Sequence, residues 1–260
     1  MVEVWFAIFC LMLASYAVMD GWNIGSGIVQ YLVAPTPAER RQLIGAIGPL
    51  WTWHEVWLVA AGGVLFVAFP TVLAVALPGF YLAVFVLLWC LVGRGISLEF
   101  GGHLDDSMWR TFWDFAFAVM NVLIAVLLGA ALGNLLRGLP IGSTGKFSLA
   151  FFTDFRTRGE VGILDWYTIS VAVFTVVCLA AHGASYLVWR TEGLLHGRAV
   201  PLARRLQPVE RRPRRLVADD VDVDLEARRI HGDEELAKMV LAEHDGCVAA
   251  LGVGVVLQHR

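Results

Sequence analysis

Charged side chains are scarce in this chain: they form 17% of its 260 residues, against about a quarter in an ordinary soluble domain. Between Val56 and Gly93, roughly 38 consecutive residues carry none. So long an uncharged run excludes a water-soluble fold and demands lipid around it. Cysteine is also sparse. Cys10, Cys90, Cys178 and Cys247 show no CxxC spacing, which excludes a disulfide framework and a zinc site read from spacing. Aromatic residues are absent after Trp189, so the remaining tail cannot build an ordinary core. No nucleophile elbow, Walker loop, dinucleotide fingerprint or paired metal motif occurs. The first apolar run lacks a basic leading segment and a small-residue cleavage site, and reads as a retained span rather than a signal peptide.

What is present is apolar surface in long runs. The chain is 58% hydrophobic with a net charge of −3 and a mean hydropathy of +0.66. As helix, the Val56–Gly93 run would extend about 57 Å, twice the hydrocarbon core of a bilayer. It must therefore be two spans, and Pro70, Pro78 and Gly79 are the residues expected to mark the turn. The ten Trp all lie between Trp5 and Trp189. Most flank apolar runs, as an interfacial belt requires. Five spans are predicted, near 4–34, 53–69, 80–93, 112–136 and 164–189. The fold class is thus all-α, a polytopic membrane helix bundle. The connection 137–162, polar and Gly-rich, is expected to be a surface loop.

Basic residues set the expected orientation. The first and third loops are assigned Arg40, Arg41, Arg94 and Arg110, and the second has none. Arg190, Arg198, Arg204 and Arg205 follow the fifth span. An N-outside, C-inside topology puts the larger basic total in the cytoplasm, although Arg137, Lys146, Arg156 and Arg158 in the fourth loop weigh against it. The chain divides into a membrane domain, 1–198, and a charged tail, 199–260. Two readings of the tail stay open: a partly disordered cytosolic segment, or the product of a shifted reading frame near Arg205 in a GC-rich gene.

Charge inside a span is costly and marks candidate sites. Asp20 follows sixteen uncharged residues; an ionised carboxylate there should face the bundle, find a partner or keep its proton. Its alternative is a solvated place at the span's end. Asn23 lies one turn on and Gln30 follows on a similar face. Gly21 and Gly25 form a GxxxG, as do Gly129 and Gly133, which permits close helix approach. Glu55 opens the second span, either as a carboxylate favoured by the helix dipole or as a protonatable group at the mouth of a proton path. His54 beside it reads first as a polar interfacial residue. The two are about 100° apart on a helix and poorly placed to chelate one metal. Asp114 opens the fourth span, where a favourable first-turn charge is the simpler account. His182 interrupts the fifth; a haem ligand, a proton carrier and a hydrogen-bonded packing residue are the options, the last being the commonest. His103, Asp105 and Asp106 read as a solvated loop. The Arg-rich tail suits anionic lipid, while its lack of interleaved aromatics argues against nucleic acid.

Several of these segments, in order, resemble subunit II of the cytochrome bd quinol oxidases. Asp20-Gly21-Trp22-Asn23-Ile24-Gly25 resembles that family's DGFDLG. GPLWTWHEVWLVAAGGVLFVAFP, Gly48 to Pro70, is similar to its GPxWDGNEVWLxxAGGxLFxAFP. RGISLEF (Arg94–Phe100), WDFAF (Trp113–Phe117), GNLLRGLP (Gly133–Pro140) and HGASYLVWRTEG (His182–Gly193) match further stretches. The resemblance covers roughly residues 5–198. It implies a helical subunit beside a haem-bearing subunit I in the bacterial inner membrane. In that family the partner holds haems b and d and the quinol site, draws on the quinone pool, and reduces dioxygen to water in aerobic respiration. Subunit II supports the partner and lines part of a proton path from the cytoplasm. It normally binds no haem itself, so the resemblance implies no cofactor or metal on this chain and leaves His182 a non-ligand. The family has about eight spans in two four-helix halves, of which this chain supplies one half plus a fifth span.

The departures are specific. The motif's Asp after the first Trp of the second block is Thr52, the following Gly-Asn is Trp53-His54, and the second Asp of DGFDLG is Asn23. The basic residue usual after RGxxxEF is Gly101. Thr and Asn form hydrogen bonds but hold no exchangeable charge near neutral pH. The leading expectation is a bd-type oxidase subunit with Asp20 and Glu55 as proton-path groups, and His54, Asp114 and His182 behind them. The alternatives are a purely structural subunit without proton conduction, and a small transporter. The latter would require an inverted repeat, and none is evident.

Overall fold

The computed structural model describes residues 1–104, 106–139, 153, 155 and 162–206. The helices, in order, are α1 (Val2–Val33), α2 (Pro37–Ile47), α3 (Trp51–Ala68), α4 (Pro70–Phe100), α5 (Ser107–Arg137), α6 (Trp166–Arg190) and α7 (Gly193–Leu206). Five of them, α1, α3, α4, α5 and α6, are long and apolar enough to cross a membrane. The chain is therefore an all-α, multi-pass membrane bundle. Large apolar side chains such as Val59, Phe66, Val67, Trp89, Phe115 and Phe174 point outward, the inverse of a water-soluble surface and the arrangement lipid favours.

Local chemistry sets the helix ends. Thr36 and Glu39 cap α2 reciprocally, with Pro37 at the first helical position, where its missing N–H is no loss. Asp106 accepts from the backbone N–H groups of Met108 and Trp109 to start α5. Asp165 and Thr168 form a second reciprocal cap on α6. These caps replace the helix-end hydrogen bonds that lipid cannot supply.

The expected turn across Pro70, Pro78 and Gly79 is not there. The break between α3 and α4 is confined to Phe69, α4 begins at Pro70, and Pro78 lies inside it. Pro70 alone ends α3, because its ring and absent N–H forbid continuation. A proline in mid-span, by contrast, frees only one carbonyl from the ladder, which membrane helices tolerate. The third span is accordingly longer at both ends than 80–93, and this places Arg94 in the helix instead of in a loop.

α1 is the hub, packing on α3, α5 and α6, while α5 also packs on α4 and α6. Both GxxxG motifs sit at close crossings. A Cβ on Gly25 would overlap the backbone of Leu179 and Gly183, and one on Gly183 would overlap the backbone of Gly25 and Ser26. Gly129 faces Ala172 and Thr175, and Gly133 faces Thr168 and Val171. At one end of the bundle, α2 and α7 close over the core through Leu43, Ile47, Leu195 and Ala199, which meet Val29, Val33, Phe117 and Leu187.

Candidate functional site

The site begins with a stripe on α1. Tyr16, Asp20, Asn23 and Gln30 are buried and recur at the spacing of one helical face. Each needs a partner, since a bare polar group in this setting costs several kcal/mol, on the order of 4–8 by transfer to hydrocarbon. Asp20 is fully buried and so is Arg94. Arg94 Nη1 donates to Asp20 Oδ2 at 2.8 Å. Its Nη2 donates to Glu55 Oε1 on α3. One guanidinium thus joins carboxylates from two other helices, a use of its forked donor geometry that an ammonium cannot copy. Glu55 keeps 24% side-chain exposure while Asp20 keeps none, so the cluster has an outer and an inner acid.

The chain of contacts continues past Asp20. Asn23 Nδ2 donates to Asp20 Oδ1 at 3.0 Å and lies 2.9 Å from His54 Nδ1. His54 is 4% exposed, so it is a buried cluster member and not the interfacial residue its position suggested. His54 and Glu55, neighbours in sequence, both reach this cluster, His54 through Asn23 of α1 and Glu55 through Arg94 of α4. Trp22 covers the far side. Its ring lies edge-on to His54 at 6.0 Å, and stacks on His182 at 5.9 Å and Tyr186 at 5.1 Å.

The other candidates go elsewhere. Asp114 pairs with Arg40, whose Nε donates to Oδ2 at 2.6 Å. Gln30 Nε2 donates to the Asp114 carbonyl at 2.5 Å. This second charged layer is ten residues further along α1, about 15 Å from Asp20. Beyond it, Arg198 of α7 pairs with Glu39 of α2. Hydrogen bonds from the Thr36 side chain and backbone, and then from Arg198, hold the Glu39 carboxyl below its usual range. His182 Nε2 is 3.0 Å from the Val18 carbonyl, within the α1–α6 crossing. Asp106 is a cap, His103 Nδ1 lies 2.8 Å from the Glu99 carbonyl, and Asp105 is outside the described residues. Among the described residues no three His, Cys, Asp or Glu side chains gather as a metal site.

Sequence reasoning missed Arg94 and Arg40 as site members and assigned both to loops. The available signal was weak: Gly95-Ile96-Ser97-Leu98 follows Arg94 without a charge, which allows the helix to continue past it. What the arrangement can do chemically is limited and clear. It holds two carboxylates and an imidazole in one hydrogen-bonded set, spanning three helices, with one end reaching the surface.

Known proteins agree with this picture. The family model for cytochrome bd terminal oxidase subunit II matches residues 1–210. The cytochrome bd-I ubiquinol oxidase subunit 2 of Escherichia coli K12 is 32% identical over 193 residues, covering 74% of this chain and 50% of the relative. The cytochrome bd ubiquinol oxidase subunit 2 of Bacillus subtilis is 30% identical over 208 residues, covering 80% and 59%. A probable cytochrome oxidase subunit 2 of Haemophilus influenzae is 30% identical over 196 residues, covering 75% and 50%. The chain therefore spans about half the length of the curated relatives it matches. With its five apolar helices and a family match over most of its length, this chain belongs to the cytochrome bd terminal oxidase subunit II family.

Proposed function

We propose that the chain is a membrane subunit of a bd-type quinol:oxygen oxidoreductase in the bacterial inner membrane. It supports a haem-bearing subunit I and lines part of its proton supply from the cytoplasm. Residues 1–198 are assigned to the membrane domain and 199–260 to the tail, whose first residues complete α7. The observation that carries the reading is the buried set Asp20–Arg94–Glu55, extended by Asn23 and His54. Charged groups are retained inside a span at a cost, and here two acids and an imidazole are kept together rather than scattered. Glu55, partly exposed, forms the mouth, and Asp20 the inner end. Arg94 does not release its proton; it fixes the two carboxyls that can exchange theirs. Redox chemistry belongs to haems and quinol on the partner. Two histidines of this chain support that division, since the buried His54 faces Asn23 and the half-buried His182 faces a backbone carbonyl.

The test is Asp20→Asn in the assembled oxidase. Oxygen consumption with quinol should fall about tenfold or more, while haem content is retained; wild-type turnover in that variant would refute the proton role. A second reading has one observation behind it. A single Arg gripping two acids is also what a purely structural clamp looks like. Full activity in the double variant Asp20→Asn, Glu55→Gln would decide for that clamp.

A further inference from the structure

Two positions at which this chain departs from the motifs it resembles touch each other. Asn23 stands where the DGFDLG pattern has its second Asp, and His54 where the second block has Asn. In the structure Asn23 Nδ2 and His54 Nδ1 are 2.9 Å apart. The resembled pattern therefore puts a carboxyl on α1 against an amide on α3, whereas this chain puts an amide on α1 against an imidazole on α3. We propose that the proton-exchanging group of this contact has moved across it, from position 23 on α1 to His54 on α3. The proposal rests on the oxidase reading for its purpose but not for its chemistry.

Three features support the exchange. First, the hydrogen bonds define the resting state of the ring. Paired with Arg94 as a carboxylate, Asp20 offers only acceptors, so the amide of Asn23 must then turn its Nδ2 toward Asp20 Oδ1. The same Nδ2 faces His54 Nδ1, which must then be unprotonated. His54 rests neutral, with its proton on Nε2. Second, the cluster has one cation fewer than acids. Arg94 faces both Asp20 and Glu55, and a proton on His54 balances the second carboxylate. Third, Asn23 Oδ1 is buried without a partner. When a proton from water adds to Nδ1, rotation of the Asn23 amide brings this acceptor to the new N–H, and the bond from Nδ2 to Asp20 Oδ1 is given up in exchange. Release of the Nε2 proton to water then leaves a neutral ring with its proton on Nδ1, and the resting form returns when the ring rotates or the proton passes back. The charged groups that act on the ring are Asp20 from α1 and Arg94 from α4, and these two link it to Tyr16 of α1 and Glu55 of α3. His182 and Tyr186 of α6 stand behind Trp22. Imidazole is the side chain that changes charge between about pH 5 and 8 without special help, so it can take over an exchange task that Asn23 cannot perform.

The test has two arms. In the first, the full chain in lipid nanodiscs carries ¹⁵N-labelled histidine, and the His54 signal is identified by its loss in His54→Asn. His54 should titrate between about pH 5 and 8. Its neutral form should carry the proton on Nε2, and in Asn23→Leu that preference should disappear. A ring that stays in one protonation state across the range overturns the proposal, whatever the protein's activity. In the second arm, the assembled oxidase is assayed for quinol-driven oxygen consumption against pH. His54→Asn should lose at least tenfold with haem retained. The exchange variant Asn23→Asp, His54→Asn should recover half or more of the activity, which also shows that the contact folds. Wild-type turnover in His54→Asn, or no recovery in the exchange variant, overturns the proposal. An inactive wild-type complex overturns the oxidase reading instead and leaves the first arm to decide.

Discussion

Arg94 holds the most demanding position in the molecule. It is fully buried, cannot lose its charge, and is held by acids from two other helices. Removing one partner of a buried pair leaves uncompensated charge and costs about 3–5 kcal/mol. Arg94→Leu should therefore lower the unfolding temperature of the detergent-purified protein by well over the scatter of the measurement. Neutralising the acids as well, with Asp20→Asn and Glu55→Gln, should recover most of the loss. An unfolding temperature for Arg94→Leu equal to wild type would show that the cluster does not lock α1, α3 and α4. Asp20 was legible in the sequence because a lone acid inside an apolar run is costly unless it sits at a solvated end of the span. Arg94 was not, because a charge near a span's end looks the same whether the helix stops before it or continues through it. His54 was named as a candidate, but its burial depends on α1, more than thirty residues away.

The bundle's helices meet where side chains are missing. A methyl on Gly25 or Gly183 would strike backbone, which cannot swing aside. Gly25→Ala and Gly183→Ala should each destabilise by about 1–3 kcal/mol, as overpacked contacts do. Gly45→Ala on α2, with nothing within 4 Å, should be neutral or slightly stabilising. Equal thermal shifts in all three would contradict the crossing at Gly25–Gly183. The α2–α7 contact offers a pH test. The Glu39 carboxyl is held low by Thr36 first and Arg198 after it. An acid depressed in the folded state adds stability that is present above its unfolded value, about 4.3, and is lost as pH falls through the lower folded value. The gap in unfolding temperature between wild type and Glu39→Gln should be constant near neutral pH and close below about pH 4. A gap that widens on acidification would reverse the assignment. The sequence showed the GxxxG motifs and the five spans. It overstated Pro78 as a turn, because proline's effect on a helix depends on which neighbours and carbonyls surround it.

At the scale of the molecule, the spans and the short helices define two ends. α2 and α7 lie together at the end where α1 finishes, joined by Glu39 and Arg198 and carrying the basic residues Arg40, Arg41, Arg198, Arg204 and Arg205. With Arg94 inside a span, the N-outside proposal rests on this end. In a cysteine-free background, Glu3→Cys should react with a membrane-impermeant maleimide on intact spheroplasts, and Arg205→Cys only after permeabilisation. The reverse pattern would invert the topology. The reading of 137–162 as a surface loop falls largely outside the described residues, as does the tail beyond Leu206.

By itself the sequence determined that this chain lives in lipid, how many times it crosses, and which acids it carries there. Those follow from hydropathy and span length, which are sums over neighbours in the chain. Only the tertiary structure decided that Asp20, Glu55, Asn23, His54 and Arg94 form one set while Asp114 and His182 stand apart. The reason is physical: the partner of a buried charge is chosen by how helices cross, and here two glycines bring α1 against α6 and leave Asp20 and Asn23 to Arg94 of α4 and His54 of α3.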